Sequence, residues 1–288
     1  MYWVIYHVAS GQAFFTGMGL LLLAVALGFR FQTWARRTAA VCWLVGVAAI
    51  IVSSTPLSYW YYAPAALCAL AWRFVAGSKN PKPRNLRIAS AALAGAVVIG
   101  VAMELPHHFT PTVEARNRSS LVVFADSVTA GVGDKTETWP KLLTRSKNVT
   151  IHDYSQMGAT VASTLELAKK NPPIPPDSVI LLEIGGNDLL GTSTPGQFEV
   201  ELDALLDHLS QRSDAVIMFE LPLPPLSNSW GRVQRRLAAR YNVLLIPKRI
   251  FMRVLTPSDA TLDTIHLTQQ GQELMAKAVW NVVAPAFE

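Results

Sequence analysis

Four short stretches of this 288-residue chain carry side chains able to run acyl-transfer chemistry. Asp126-Ser127 follows one apolar run, Gly158 follows a second, Gly185-Gly186-Asn187-Asp188 follows a third, and Asp263-Thr264-Ile265-His266 lies near the C-terminus. A serine hydroxyl is a weak nucleophile until a neighbouring base takes its proton. Of the six histidines, only His266 has a carboxylate three positions earlier in a short loop before a terminal helix; the others are His7, His107, His108, His152 and His208. That spacing lets one loop present an imidazole together with the group that orients it, as Ser-His-Asp catalysis requires. Gly158 has a backbone N–H, and Asn187 a side-chain N–H, to offer an oxyanion forming beside Ser127. Taken singly, Asp-Ser is a helix cap and Gly-Gly-Asn-Asp a turn. Their order and placement together are far more specific.

Such residues need a scaffold that brings them to one place. From Leu121 onward, short β-branched or Leu-rich runs predict strands at Leu121–Ala125, Val149–His152, Val179–Ile184, Ala215–Glu220 and Val243–Ile246. Amphipathic stretches predict helices at Trp139–Arg145, Val161–Lys169, Phe198–Leu209, Arg232–Tyr241 and Thr268–Val283. Strands alternating with helices imply an α/β fold, a three-layer α/β/α sandwich around a mainly parallel five-stranded sheet. Ligands of such sheets bind beyond the carboxyl ends of the strands, where the first three stretches fall.

In these blocks the chain resembles the SGNH or GDSL serine hydrolases. The Gly-Asp-Ser block of that family is matched by Ala125-Asp126-Ser127, its second-block glycine by Gly158, its Gly-x-Asn-Asp by Gly185-Gly186-Asn187-Asp188, and its Asp-x-x-His by Asp263 and His266. Leu182-Glu183-Ile184 and Trp139-Pro140 are most similar to the bacterial thioesterase and lysophospholipase subgroup. Ala125, where the family usually has glycine, is a departure; it matters only if the position needs positive φ. The resemblance spans about Leu121 to the end and implies a flavodoxin-like SGNH fold. It further implies Ser127 as nucleophile, His266 as base, Asp263 as its partner, and an oxyanion hole of Ser127 N–H, Gly158 N–H and the Asn187 amide. Asp126 and Asp188 are then structural residues holding the two turns, and no metal or organic cofactor is implied.

The remainder of the chain has a different character. Overall 51% of residues are hydrophobic and 16% charged, with a formal charge of +5. Before Glu104 there is no carboxylate, and eight basic residues form two clusters: Arg30, Arg36 and Arg37, then Arg73, Lys79, Lys82, Arg84 and Arg87. A disordered or nucleic-acid-coating protein is excluded by this composition, and clustered basic loops between apolar stretches indicate membrane topology. A membrane helix takes about 20 apolar residues. Stretches near that length run over about 6–29, 38–53, 57–77 and 88–103, which predicts an all-α bundle of about four transmembrane helices. No basic leader precedes the first stretch, so a cleaved signal peptide is not expected. With both basic clusters cytoplasmic, everything after the fourth helix lies outside, in the periplasm of a bacterial inner membrane. The expected organisation is therefore 1–104 membrane region, 105–119 tether and 120–288 hydrolase domain. Cys42 and Cys68 fall within the apolar stretches as small fillers.

The leading expectation is a membrane-anchored serine esterase acting on lipid acyl esters or on O-acyl groups of envelope glycans, with the bilayer as its partner and no nucleic acid. Alternatives are an acyltransferase, in which a sugar hydroxyl replaces water, and a membrane scaffold whose hydrolase fold is inactive. Arg232, Arg235, Arg236 and Arg240 share one helix face, which either meets anionic headgroups or is simply solvated. Leu221–Leu226 and Trp230 either line an acyl pocket or pack on the sheet.

Overall fold

In a computed structural model the chain is described at every residue except 1, 31, 79, 133–135, 171, 172 and 264. Lys79 of the second basic cluster and Thr264 of the Asp-x-x-His stretch thus lie outside the described residues. The chain divides into two compact units: Met1–Tyr6, Phe109–Pro222 and Ser229–Glu288 form one, and His7–His108 with Leu223–Asn228 the other.

The apolar half is helical: α1 (Tyr2–Ala9), α2 (Gln12–Gly28), α3 (Thr33–Val52), α4 (Tyr59–Gly77) and α5 (Pro83–Glu104). Pro83 opens α5, where its missing N–H has no intrahelical partner to lose. Small residues let α2 and α3 approach closely: a Cβ on Gly17 would sit 2.6 Å from the Gly46 carbonyl oxygen. Polar groups are satisfied across helices, with Trp72 Nε1 donating to Ser90 Oγ at 3.1 Å and the Tyr61 hydroxyl to the Ala96 carbonyl at 2.9 Å.

By length and composition two helices suffice to cross a membrane, Thr33–Val52 and Pro83–His108, and a third only if Trp3–Ala9 and Gln12–Gly28 count as one span bent by 85°. The four crossings expected are thus not clearly present. The first is broken at Ser10-Gly11, where Gly11 takes φ +83°. In α4 the Tyr59-Trp60-Tyr61-Tyr62 start, Pro64 and Arg73 lower the hydropathy of the run.

The other unit holds five strands, β1 (Leu121–Ala125), β2 (Ile151–Asp153), β3 (Val179–Glu183), β4 (Val216–Phe219) and β5 (Leu244–Ile246). They form a fully parallel sheet ordered β2-β1-β3-β4-β5. β1 and β3 are buried at every residue, because helices cover both faces of the sheet. The covering helices are α7 (Trp139–Lys147), α8 (Val161–Lys169), α10 (Pro195–Ser210), α11 (Asn228–Arg240), α12 (Lys248–Leu255) and α13 (Gln269–Val283). The single turns α6 (Ser127–Ala130) and α9 (Gly186–Leu190) follow β1 and β3 directly. Every predicted strand is present; half of the strand ends are trimmed by one or two residues, and the second strand runs one residue further, to Asp153. Upstream of the sheet, Val113 N–H donates to the Val282 carbonyl at 3.2 Å and Arg118 N–H to that of Ala286 at 2.7 Å.

Candidate active site

The Ser127 turn is built where β1 stops. Asp126 caps α6, its Oδ1 accepting the Val128 N–H at 2.9 Å, which makes Ser127 the first residue of the helix. Ala125 ends the strand paired with Glu183 and lies outside the positive-φ positions, so its methyl costs no backbone strain there. The Asp126 N–H donates to the Glu183 carbonyl at 3.0 Å, which pins this turn to the neighbouring strand.

His266 reaches the same point from the C-terminal loop. Its Nε2 lies 3.1 Å from Ser127 Oγ and its Nδ1 2.7 Å from Asp263 Oδ2. The loop is closed on itself: Leu262 N–H donates to the His266 carbonyl at 2.7 Å, and Asp263 Oδ1 accepts the N–H groups of Ile265 at 3.2 Å and His266 at 2.9 Å. These donors and the imidazole hold the Asp263 carboxyl down at about 2, so it stays a carboxylate across the range in which an imidazole acts as base. Asn187 arrives from β3 through Gly185, whose φ of +102° and close neighbours Leu221 and Phe198 favour a residue without a side chain. The Asn187 amide donates to the Ala159 carbonyl at 2.9 Å and faces Asp126 Oδ2 at 3.4 Å. Gly158, at φ +70°, sits in a loop whose Gln156 N–H donates to the Ala125 carbonyl at 3.0 Å. Asp188 accepts the Val161 N–H at 3.0 Å and so ties β3 to the start of α8.

A profile of the GDSL-like Lipase/Acylhydrolase family matches residues 126–274, over half of the chain and all four blocks. The chain belongs to this family. It is 23% identical to Esterase TesA of Pseudomonas aeruginosa over 184 residues, which cover 58% of this chain and 88% of that one. It is 26% identical to Thioesterase 1/protease 1/lysophospholipase L1 of Escherichia coli K12 over 179 residues, 57% of this chain and 83% of that one. Among solved structures, esterase EstA from Pseudoalteromonas sp. aligns with a TM-score of 0.48 at 20% identity, over 57% of this chain and 96% of that one.

Behind Ser127 of this GDSL-family chain lie three carboxyl groups. Burial pushes Asp126 up from its usual 3.8 to about 6, against the Val128 N–H and His266, with Asp188 adding to the rise. Glu183, fully buried, is held well above the carboxylate range by burial and then by Asp126. Asp188 is raised by burial. Thr129 Oγ1 links this group to the wall of the site: it donates to Glu183 Oε2 at 3.0 Å and accepts Trp139 Nε1–H at 2.9 Å. Gln272 of α13 completes the frame, its Oε1 accepting the Trp139 N–H at 2.8 Å and its Nε2 donating to the Val128 carbonyl at 3.3 Å.

Sequence reading did not single out Thr129, Trp139 or Gln272 for these roles. A signal existed for Gln272, a polar residue on the same helix stripe as Met275, Val279 and Val282, all buried. On the arginine face of α11, Arg235 is buried against Glu220, while Arg236 and Arg240 stay largely exposed and pair with Glu199 and Asp203. Trp230 is buried against Phe198 of α10, the two rings tilted with centroids 4.9 Å apart. His208 bonds to the Ala168 carbonyl and His152 lies within β2, so neither joins Ser127. Among the described residues no group of three His, Cys, Asp or Glu side chains could hold a metal ion.

Proposed function

We propose that this GDSL-family chain is a membrane-anchored serine esterase that hydrolyses lipid acyl esters or O-acyl groups of envelope glycans. The observation that carries it is the line from Ser127 Oγ to His266 Nε2 and from His266 Nδ1 to Asp263, at 3.1 and 2.7 Å. In this reading Ser127 attacks the ester carbonyl while His266 Nε2 takes the hydroxyl proton. Asp263 holds the imidazole by Nδ1 and stabilises the imidazolium. The tetrahedral oxyanion meets the Ser127 N–H, the Gly158 N–H and the Asn187 amide. His266 then gives its proton to the leaving alcohol, and a water activated by the same nitrogen releases the acyl group from Ser127.

The membrane anchor belongs to the same proposal, with residues 1–104 in the bilayer, 105–119 as tether and 120–288 as the periplasmic catalytic domain. Support comes from the two long apolar helices and from large apolar side chains left on their outer faces, among them Val41, Leu44, Val98 and Ile99. A catalytic domain tied to the bilayer meets acyl lipids and acylated glycans at raised local concentration. The test is hydrolysis of p-nitrophenyl esters of increasing chain length by purified full-length protein, together with a C-terminal reporter active only outside the cytoplasm. Turnover and an active reporter are expected; failure of every ester defeats the esterase reading, and a silent reporter defeats the orientation.

A further inference from the structure

On the catalytic unit, a cavity of about 290 Å³ lies between α12 and α13. Arg249, Arg253 and Lys277 line it, over an apolar floor of Ile250, Val254 and Leu274, and no carboxylate is among its lining residues. Arg253 and Lys277 have no carboxylate partner among the described residues, in contrast to the paired arginines of α11. Arg249 donates to Thr110 Oγ1 at 2.8 Å and Arg253 Nε to the Tyr6 hydroxyl at 3.3 Å, which fixes both cations at the cavity. Burial, and then the charge of Arg253, lower the Arg249 pKa, so these groups repel one another and an anion among them removes that cost. Thr110, on the cavity wall, follows the last residue of the Pro83–His108 helix by only two positions, a reach of about 7 Å of extended chain.

We propose that this cavity binds a phosphate-bearing anion, specifically the phosphodiester headgroup of an anionic phospholipid, with the cations on the phosphate and the apolar floor under the glycerol and upper acyl carbons. The headgroup assignment rests on the membrane-anchor reading, since a wall residue this close in sequence to a spanning helix stays at headgroup depth. A soluble phosphate meets the same cations but makes no use of Ile250, Val254 and Leu274.

The experiment uses full-length protein in a neutral detergent, exposed to phosphatidylglycerol, phosphatidylcholine or inorganic phosphate and read by native mass spectrometry. Wild type is expected to retain one phosphatidylglycerol at a concentration about tenfold below that needed for phosphatidylcholine, and the Arg253→Ala/Lys277→Ala double variant to lose that preference. The charge-keeping Arg253→Lys/Lys277→Arg variant retains it, and unchanged fluorophosphonate labelling shows that the double variant is folded. Equal phosphatidylglycerol retention by wild type and the double variant overturns the site. Inorganic phosphate bound as tightly as phosphatidylglycerol overturns the lipid assignment. The anchor is read separately: wild type released from cell membranes by alkaline carbonate defeats the membrane reading, whatever the cavity binds.

Discussion

Gln272 joins the Ser127 turn to α13, the helix that follows His266. It is fully buried, and its two amide ends satisfy the Trp139 N–H and the Val128 carbonyl. Gln272→Leu fills the same space but leaves a buried backbone donor and a buried acceptor unpaired. Each orphan costs about 1–3 kcal/mol, and the added apolar burial returns about 1–2 kcal/mol, for a net loss centred on about 2.5 kcal/mol. For a domain of this size that lowers the melting temperature by about 5–10 °C, measured by tryptophan fluorescence in detergent. Val128 directly follows Ser127, so well below the melting temperature kcat for a p-nitrophenyl ester should fall at least about tenfold with KM little changed. Gln272→Glu keeps the acceptor for Trp139 and loses the donor to Val128, so it should fall between. A Gln272→Leu protein melting within about 2 °C of wild type, with normal kcat, would refute the claim that this amide frames the site.

Asp126 predicts a pH dependence of stability. Its folded pKa of about 6 lies above its usual 3.8, so the folded state holds the proton more tightly. That contribution is complete below the unfolded value and is lost as pH rises through about 6, at most about 3 kcal/mol for a shift of this size. The melting temperature of Asp126→Asn relative to wild type should therefore climb between about pH 4 and pH 7; a difference that stays flat contradicts the buried-acid assignment. In the proposed mechanism Asn187→Ala removes an oxyanion donor and should lower kcat by about 10²–10³, with KM nearly unchanged. A loss confined to KM would place Asn187 in substrate binding instead.

Much of the α/β half was legible in sequence because its strands are short, apolar and β-branched, and because three of the four motif blocks follow a strand. Leu121–Ala125 and Val161–Lys169 were placed to the residue. The single turns α6 and α9 carry too few residues for any periodicity, and α12 mixes cations and apolar residues straight after a strand, so these were missed. The apolar half was less legible: length alone suggested four crossings, whereas the break at Gly11 and the aromatic start of α4 leave two helices, or three with the bent pair, that meet the length and composition of a span. The ion pairs of the α11 arginines were not legible because their partners, Glu199, Asp203 and Glu220, come from other elements and are invisible to a single-helix reading.

The claim on which the account turns is that Ser127 is the nucleophile activated by His266. Labelling purified full-length protein with a fluorophosphonate and mapping the adduct by peptide mass spectrometry tests it directly. A single adduct on Ser127, absent from Ser127→Ala and strongly slowed in His266→Ala, is the predicted result. An adduct on any other residue, or undiminished labelling of Ser127→Ala, contradicts it.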